Sequence, residues 1–211
     1  MSRAFSKIAI AQAVIKNIES AFDKYLEMSG DWLDDAPESY VVCSIADSLY
    51  KRMRGNGWVA LECPVSDFLD DSDEPGDRRG RPPKALRSEG RFDITLYWKD
   101  GASRAPIEVK HPIVADKTIL DSDARRLCSA LREGGMQFGM LAFYISSDEP
   151  KRKDDTPEGR IIRRRDEIKA LLQKIAGGNK YPCAVSSHHG RVHKKDGSAW
   201  SASCIIFEPM S

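Results

Sequence analysis

No stretch of this 211-residue chain is apolar for long enough to cross a bilayer, which takes about 20 consecutive apolar residues. The opening segment, MSRAFSKIAIAQAVIK, scatters Lys and Arg through an amphipathic pattern. It lacks the continuous apolar core and the small-residue cleavage site of a secretory signal. The 5 cysteines are odd in number, widely spaced and never arranged as Cys-x-x-Cys, which excludes a disulfide framework. No internal repeat is visible. A cytoplasmic protein without membrane contact is the expectation. Net charge is nearly absent as well: 33 Lys and Arg stand against 32 Asp and Glu, so the overall balance selects no partner.

What the chain does contain is charge in blocks. Asp67, Asp70, Asp71, Asp73 and Glu74 are followed by Arg78, Arg79, Arg81, Lys84, Arg87 and Arg91. A second basic group comprises Lys151, Arg152, Lys153, Arg160, Arg163, Arg164 and Arg165. Such blocks serve either as solvated faces or as phosphate-binding surface.

Hydrophobic periodicity organises the rest. Phe5, Ile8, Ile10, Val14, Ile15, Ile18, Phe22 and Leu26 repeat at helical spacing and stop near Gly30, giving one long amphipathic helix. A second helix follows, with Asp35 as N-cap and Pro37 at its first position, ending at Gly55-Asn56-Gly57. WVALECPV reads as a strand, and residues 67–90 as a long loop rich in Asp, Gly, Pro and Arg. Strands at 91–98 and 105–111 flank Lys99-Asp100-Gly101-Ala102, a strong hairpin signal. A helix at 121–133, a buried strand in MQFGMLAFYIS, a helix at 158–176 and a β-rich stretch from Tyr181 to Glu208 complete the order. The pattern implies an α/β fold with a sheet covered by helices. The organisation expected is an N-terminal helix (1–34), a core (35–178) carrying the basic loop 67–90, and a β-rich C-terminal extension (179–211) of the same domain.

The hairpin carries the chemistry. Glu108 and Lys110 share one face of their strand, with Ile107 and Val109 on the other. On the preceding strand Phe92, Ile94, Leu96 and Trp98 share a face opposite to Asp93, Thr95 and Tyr97. A turn centred on Asp100-Gly101 sets Asp93 directly across from Glu108, with Lys110 diagonal to both. Opposed carboxylates repel, and the conflict is removed by a cation between them. A hard divalent ion such as Mg²⁺ prefers carboxylate oxygens and keeps waters for chemistry. Lys110 beside it could hold water or offset charge developing on a phosphate. The pattern therefore suits a metal-dependent phosphodiesterase.

The string Asp93-Ile94-Thr95-Leu96 followed by Glu108-Val109-Lys110, on a hairpin after a helix and a strand, resembles the PD-(D/E)XK nuclease superfamily. The resemblance covers roughly residues 36–147 and departs in having Phe92 where the motif has Pro. It implies a restriction endonuclease-like mixed β-sheet flanked by helices. It also implies Mg²⁺, with Mn²⁺ as substitute, held by Asp93, Glu108 and the Val109 backbone carbonyl, and a water positioned by Lys110. Many members add a glutamate from the helix before the first strand. Glu38 fits that place, and fits equally a first-turn acid complementing the helix dipole. The implied activity is endonucleolytic hydrolysis leaving a 5′-phosphate and a 3′-hydroxyl. Family association extends to host-defence and mobile-element systems.

Arg78, Arg79, Arg81, Lys84, Arg87 and Arg91 lead into the Asp93 strand and are the expected nucleic-acid contacts, DNA ahead of RNA. The alternative is a nuclease-like subunit that binds nucleic acid or a partner protein without cutting. The N-terminal helix and β-rich extension lie outside the resemblance and are open to homodimerisation or partner docking. Cys183, His188, His189, His193 and Cys204 supply zinc-ligand chemistry, but at spacings that match no compact site. Gln137 and Tyr144 follow Lys110 at wider spacing than a comparable pair in some superfamily members. Asp121, Asp123, Arg125 and Arg126 read as decoration of a helix start.

Overall fold

The computed structural model describes residues 6–72, 90–111, 113, 117–148, 155–178 and 182–210. Helix α1 (Lys7–Ser29) begins where Ser6 accepts the Ala9 N–H and ends where Gly30 turns left-handed, φ 82°, returning its N–H to Leu26. Helix α2 (Glu38–Met53) starts later than its sequence signals suggest. Leu33–Asp35 close a 3-10 turn and the chain stays extended through Ala36 and Pro37, so Pro37 rather than Asp35 is the N-cap. The cause is tertiary, because the neighbouring Asp34 carboxylate accepts hydrogen bonds from Tyr144 and Ser146 across the fold.

Strand β1 (Gly57–Pro64) runs into a short helix α3 (Val65–Asp70), which the acidic composition of that stretch conceals. Then come β2 (Arg91–Trp98), β3 (Ser103–Lys110), α4 (Lys117–Glu133), β4 (Gly139–Ser147) and α5 (Pro157–Gly177). The last helix has Thr156 as N-cap and Pro157 in its first turn, as local propensity dictates. Strands β5 (Cys183–His189), β6 (His193–Lys195) and β7 (Ser198–Pro209) close the chain.

The strands form one mixed sheet in the order β1-β2-β3-β4-β7-β5, with β6 paired to β7. Neighbours are antiparallel except β3 and β4, which run parallel with Glu108 beside Leu141 and Lys110 beside Phe143. Helices cover both faces of the sheet, which makes the protein α/β. On one face α1 and α2 pack on Ile94, Leu96, Ile107, Val109, Met140 and Ala142. On the other, α3, α4 and α5 enclose Phe92, Tyr97, Leu141, Phe143, Ile145 and Phe207. The C-terminal stretch is no appendage, since β7 pairs along the whole of β4. The apolar face of α1, open to a partner on sequence grounds, is covered by the protein's own sheet: Phe22 stacks on Trp200 at 4.0 Å. Among the described residues no helix is long and apolar enough to cross a membrane.

Two adjacent residues of α5 test this layering. Ile161 is 1% exposed in the second core cluster, whereas Ile162 is 51% exposed. Ile161→Ala should destabilise by about 2–5 kcal/mol and Ile162→Ala by less than about 0.5 kcal/mol in urea unfolding. Equal effects would contradict the placement of α5.

Candidate active site

The hairpin register is set by a glycine and a bulge together. Gly101 adopts φ 95°, and the pairing shifts between Leu96 and Tyr97. Tyr97 pairs with Ser103, but Leu96, Thr95 and Ile94 pair with Ala105, Pro106 and Ile107. Continued one step, that register would set Asp93 opposite Glu108, the arrangement expected from the sequence, but the regular pairing stops at Ile94 and Ile107. Beyond that pair the Val109 N–H donates to Asp93 Oδ2 at 2.6 Å. A side chain has taken over from the ladder.

The distortion reaches β1. Glu62, which would face Asp93, has a left-handed φ of 51°, rare for a residue with a side chain. Pairing passes from Leu61–Ile94 to Cys63–Phe92. Strict alternation expects Phe92 beside Ile94 and Leu96, but it lies in the opposite cluster, 5.6 Å from Phe68. The kink at Glu62 and Asp93 accounts for the changed face. Arg91, at the exposed start of β2, donates to the Glu62 carbonyl at 2.9 Å.

Glu108 and Lys110 project from β3 toward α4, while Ile107 and Val109 enter the core on the α1–α2 side. Glu108 has no exposed surface. Its Oε1 accepts from Arg126 Nε at 2.7 Å, and Oε2 is buried without a hydrogen-bond partner among the described residues. Arg126 also donates to Asp123 Oδ1 at 2.8 Å, and Lys110 Nζ lies 3.3 Å from Asp123 Oδ2. Glu38, the first residue of α2, accepts the His111 N–H at 3.1 Å and couples electrostatically to Lys110. His111 donates its Nε2–H to the Leu33 carbonyl, and burial pushes its pKa down.

Asp123 and Arg126 are the residues that sequence reasoning misassigned. They lie inside α4, not at its start, and Asp123 is 4% exposed. The available signal was an acid within the apolar stripe of Leu120, Ala124, Leu127 and Leu131. Asp121 and Arg125 do pair on the outer surface, as decoration should.

Among the described residues, four carboxylates (Asp93, Glu108, Asp123, Glu38) thus gather around two cations (Lys110, Arg126), an excess of two negative charges when all are ionised. Burial is the largest effect on Glu108 and outweighs Arg126, pushing its pKa up to about 8, with Asp93 and Asp123 adding to the rise. Burial likewise raises Glu38. For Lys110 burial opposes the charge, but Asp123, Glu38, Asp93 and Glu108 prevail and hold its pKa above the usual value. Lys110 is therefore an ammonium at neutral pH.

Among the described residues no three His, Cys, Asp or Glu side chains form a ready-made metal cage. The donor chemistry nevertheless suits a hard cation: the candidates are all oxygens, two of them (Glu108 Oε2 and Asp123 Oδ2) are buried without a hydrogen bond among the described residues, and the excess charge has the right sign. The histidines and cysteines of the C-terminal stretch do not converge. Cys183 and Cys204 lie in opposite core clusters, His193 stacks on Trp200, and His189 Nδ1 meets Ser203 Oγ at 2.9 Å.

The remaining candidates divide. Arg78, Arg79, Arg81, Lys84 and Arg87 lie outside the described residues. Tyr144 donates to Asp34 Oδ2 at 2.9 Å, and Gln137 lies beside Trp98 and Ser103 near the hairpin tip, so the two do not act as a pair at Lys110. In the second basic group Arg165 turns inward to the Gly190 carbonyl. Arg160, Arg163 and Arg164 line a cavity of about 420 Å³ together with Asp148 and Glu167, and Asp155 pairs with Arg160 and Arg163. Compared with models of known families, with curated proteins and with solved structures, the chain matches none.

The raised Glu108 pKa has a consequence for stability. Its folded value of about 8 exceeds the unfolded 4.5, so the stabilising contribution of the protonated form is complete below pH 4.5 and lost as pH rises to 8. Glu38 acts in the same direction, and the neutral His111 opposes it below about pH 6.5. Denaturation of wild type and Glu108→Gln between pH 5 and 8 should therefore diverge, the wild type losing up to about 1.4 kcal/mol more per pH unit. Parallel curves would show that Glu108 does not titrate in this window.

Proposed function

We propose that this protein is a Mg²⁺-dependent nuclease of the PD-(D/E)XK type, with DNA as substrate. The observation that carries the reading is the end of the β2–β3 hairpin, where Asp93 is drawn out of the ladder beside a buried Glu108 and an ammonium on Lys110. The order α2-β1-β2-β3-α4-β4, with β3 and β4 parallel and the site at the carboxyl end of β3, supports a restriction endonuclease-like core.

Asp93 and the free oxygen of Glu108 would hold the metal with the Val109 carbonyl, Glu38 standing by from the other layer. Solvent would complete the coordination, as Mg²⁺ commonly retains several waters. Bound there, Mg²⁺ supplies Lewis acidity toward the phosphate and lowers the pKa of water. The protein's own contribution is positional. Asp93 is held by the Val109 N–H and Glu108 by Arg126. Lys110, anchored by Asp123, presents a fixed positive charge to a phosphate that becomes more negative during attack. A lysine kept protonated acts here as a cation and not as a base. Water adds to phosphorus, the P–O3′ bond breaks, and a 5′-phosphate and a 3′-hydroxyl remain.

One observation favours a second reading, a non-cleaving nucleic-acid-binding subunit. Arg126 and two backbone N–H groups already satisfy one oxygen each of Glu108, Asp93 and Glu38. A single experiment separates the two. Supercoiled, linear and single-stranded DNA and RNA are incubated with Mg²⁺, with Mn²⁺ and with EDTA, using wild type and Lys110→Ala. Metal-dependent cutting of DNA that falls about 100-fold or more in Lys110→Ala is the expected result. Equal cutting by both proteins would overturn the assignment of Lys110. Binding without cutting under every condition would select the second reading.

A further inference from the structure

We infer that Arg126 stands in the place of a second divalent cation, so that the site accepts one metal ion per chain and not two. The inference rests on the metal-dependent reading above and specifies its stoichiometry. Two-metal phosphodiesterases bridge neighbouring carboxylates with cations about 3.5–4 Å apart. Here the bridge between Glu108 and Asp123 is already made by a guanidinium: Nε lies 2.7 Å from Glu108 Oε1, and Nη2 lies 2.7 Å from the same atom and 2.8 Å from Asp123 Oδ1.

The four carboxylates are thereby divided. On one side Glu108 Oε1 and both oxygens of Asp123 face Arg126 and Lys110. On the other, among the described residues, Glu108 Oε2 is buried without a hydrogen bond, and Asp93 and Glu38 each accept a hydrogen bond from one backbone N–H. The second side offers carboxylate oxygens to one metal ion, while on the first two cations already stand against Glu108 Oε1 and Asp123, whose Oδ2 meets Lys110 as an ion pair without a hydrogen bond. Arg126 cannot vacate its charge, because a guanidinium does not deprotonate in a protein. Nor is it a casual surface partner, for its side chain is 18% exposed against 1% for Glu108 and 6% for Asp123. With all four carboxylates ionised, as a bound cation would favour, the excess of two negative charges among the described residues equals the charge of one divalent ion. Removing Arg126 would leave three negative charges and an unbridged pair of carboxylates, the donor set for a second ion. With Arg126 in place, a fixed positive charge joins Glu108 to Asp123 and would do the charge-balancing work of a second ion without requiring it from solution.

Counting Mn²⁺ tests this directly, by the loss of the free-ion paramagnetic resonance signal and by calorimetric titration of the full-length chain. Wild type should bind one ion, Arg126→Lys one, Arg126→Gln two, and the double variant Arg126→Gln/Asp123→Asn one again. Two ions in wild type overturn the inference and leave the nuclease reading standing. A folded Arg126→Gln that still binds one also overturns it. No Mn²⁺ bound by wild type at millimolar concentration removes the metal reading itself, and this inference with it. Arg126→Gln is prepared in Mn²⁺ and its folding checked by circular dichroism. If it does not fold, the wild-type count decides.

Discussion

A buried glutamate side chain on an interior strand is the constraint around which this fold is arranged. Buried carboxylates are tolerated only when hydrogen-bonded and paired, and Glu108 meets that condition by drawing Arg126 inward from α4. Arg126 brings Asp123 with it, and Asp123 in turn holds Lys110. A helix that would otherwise present a plain apolar stripe to the sheet therefore carries a polar seam. Its apolar neighbours Leu120, Ala124 and Leu127 seal that seam from below.

The second element of the site is a controlled failure of regular pairing. Sheets saturate their own backbone groups, and a saturated ladder leaves no reason for a side chain to enter it. Between Glu62 and Asp93 the ladder is interrupted, with one residue in a left-handed conformation and Phe92 moved to the opposite face. Asp93 is freed to accept the Val109 N–H. Non-glycine backbone strain concentrates at functional sites because the surrounding structure must hold it in place. Here the surroundings are well suited to that, since Phe68 packs on both Phe92 and Tyr97 from the short helix α3.

The site also joins the two helical layers. Glu38 and His111 belong to the α2 side, while Asp123 and Arg126 belong to the α4 side. Lys110 lies between them at the end of β3 and responds to acids of both. Neither layer alone assembles the charge arrangement, so the chemistry proposed for the site depends on both halves of the core. The C-terminal strand β7 reinforces this by pairing along all of β4 and contributing Trp200 to the aromatic cluster against α1.

Most of the element order was legible from the amino acids, because helices and strands announce themselves through local periods, and a terminator such as Gly30 acts within four residues. The pairing of the two strands was legible because a hairpin is signalled by its turn, but the register near Asp93 and Glu108 depends also on the bulge between Leu96 and Tyr97, which no local signal marks. Local rules failed where the partner is distant in sequence. Arg126 reaches Glu108 across 18 positions and Tyr144 reaches Asp34 across 110. The second contact delayed the start of α2, and the first turned apparent helix decoration into the counter-charge of the site. The sequence by itself determined most of the order of helices and strands and placed Asp93, Glu108 and Lys110 on neighbouring strands of one hairpin. Only the tertiary structure decided which charge compensates which, because that depends on burial and on distances between side chains, and neither is encoded within one helical turn or one hairpin.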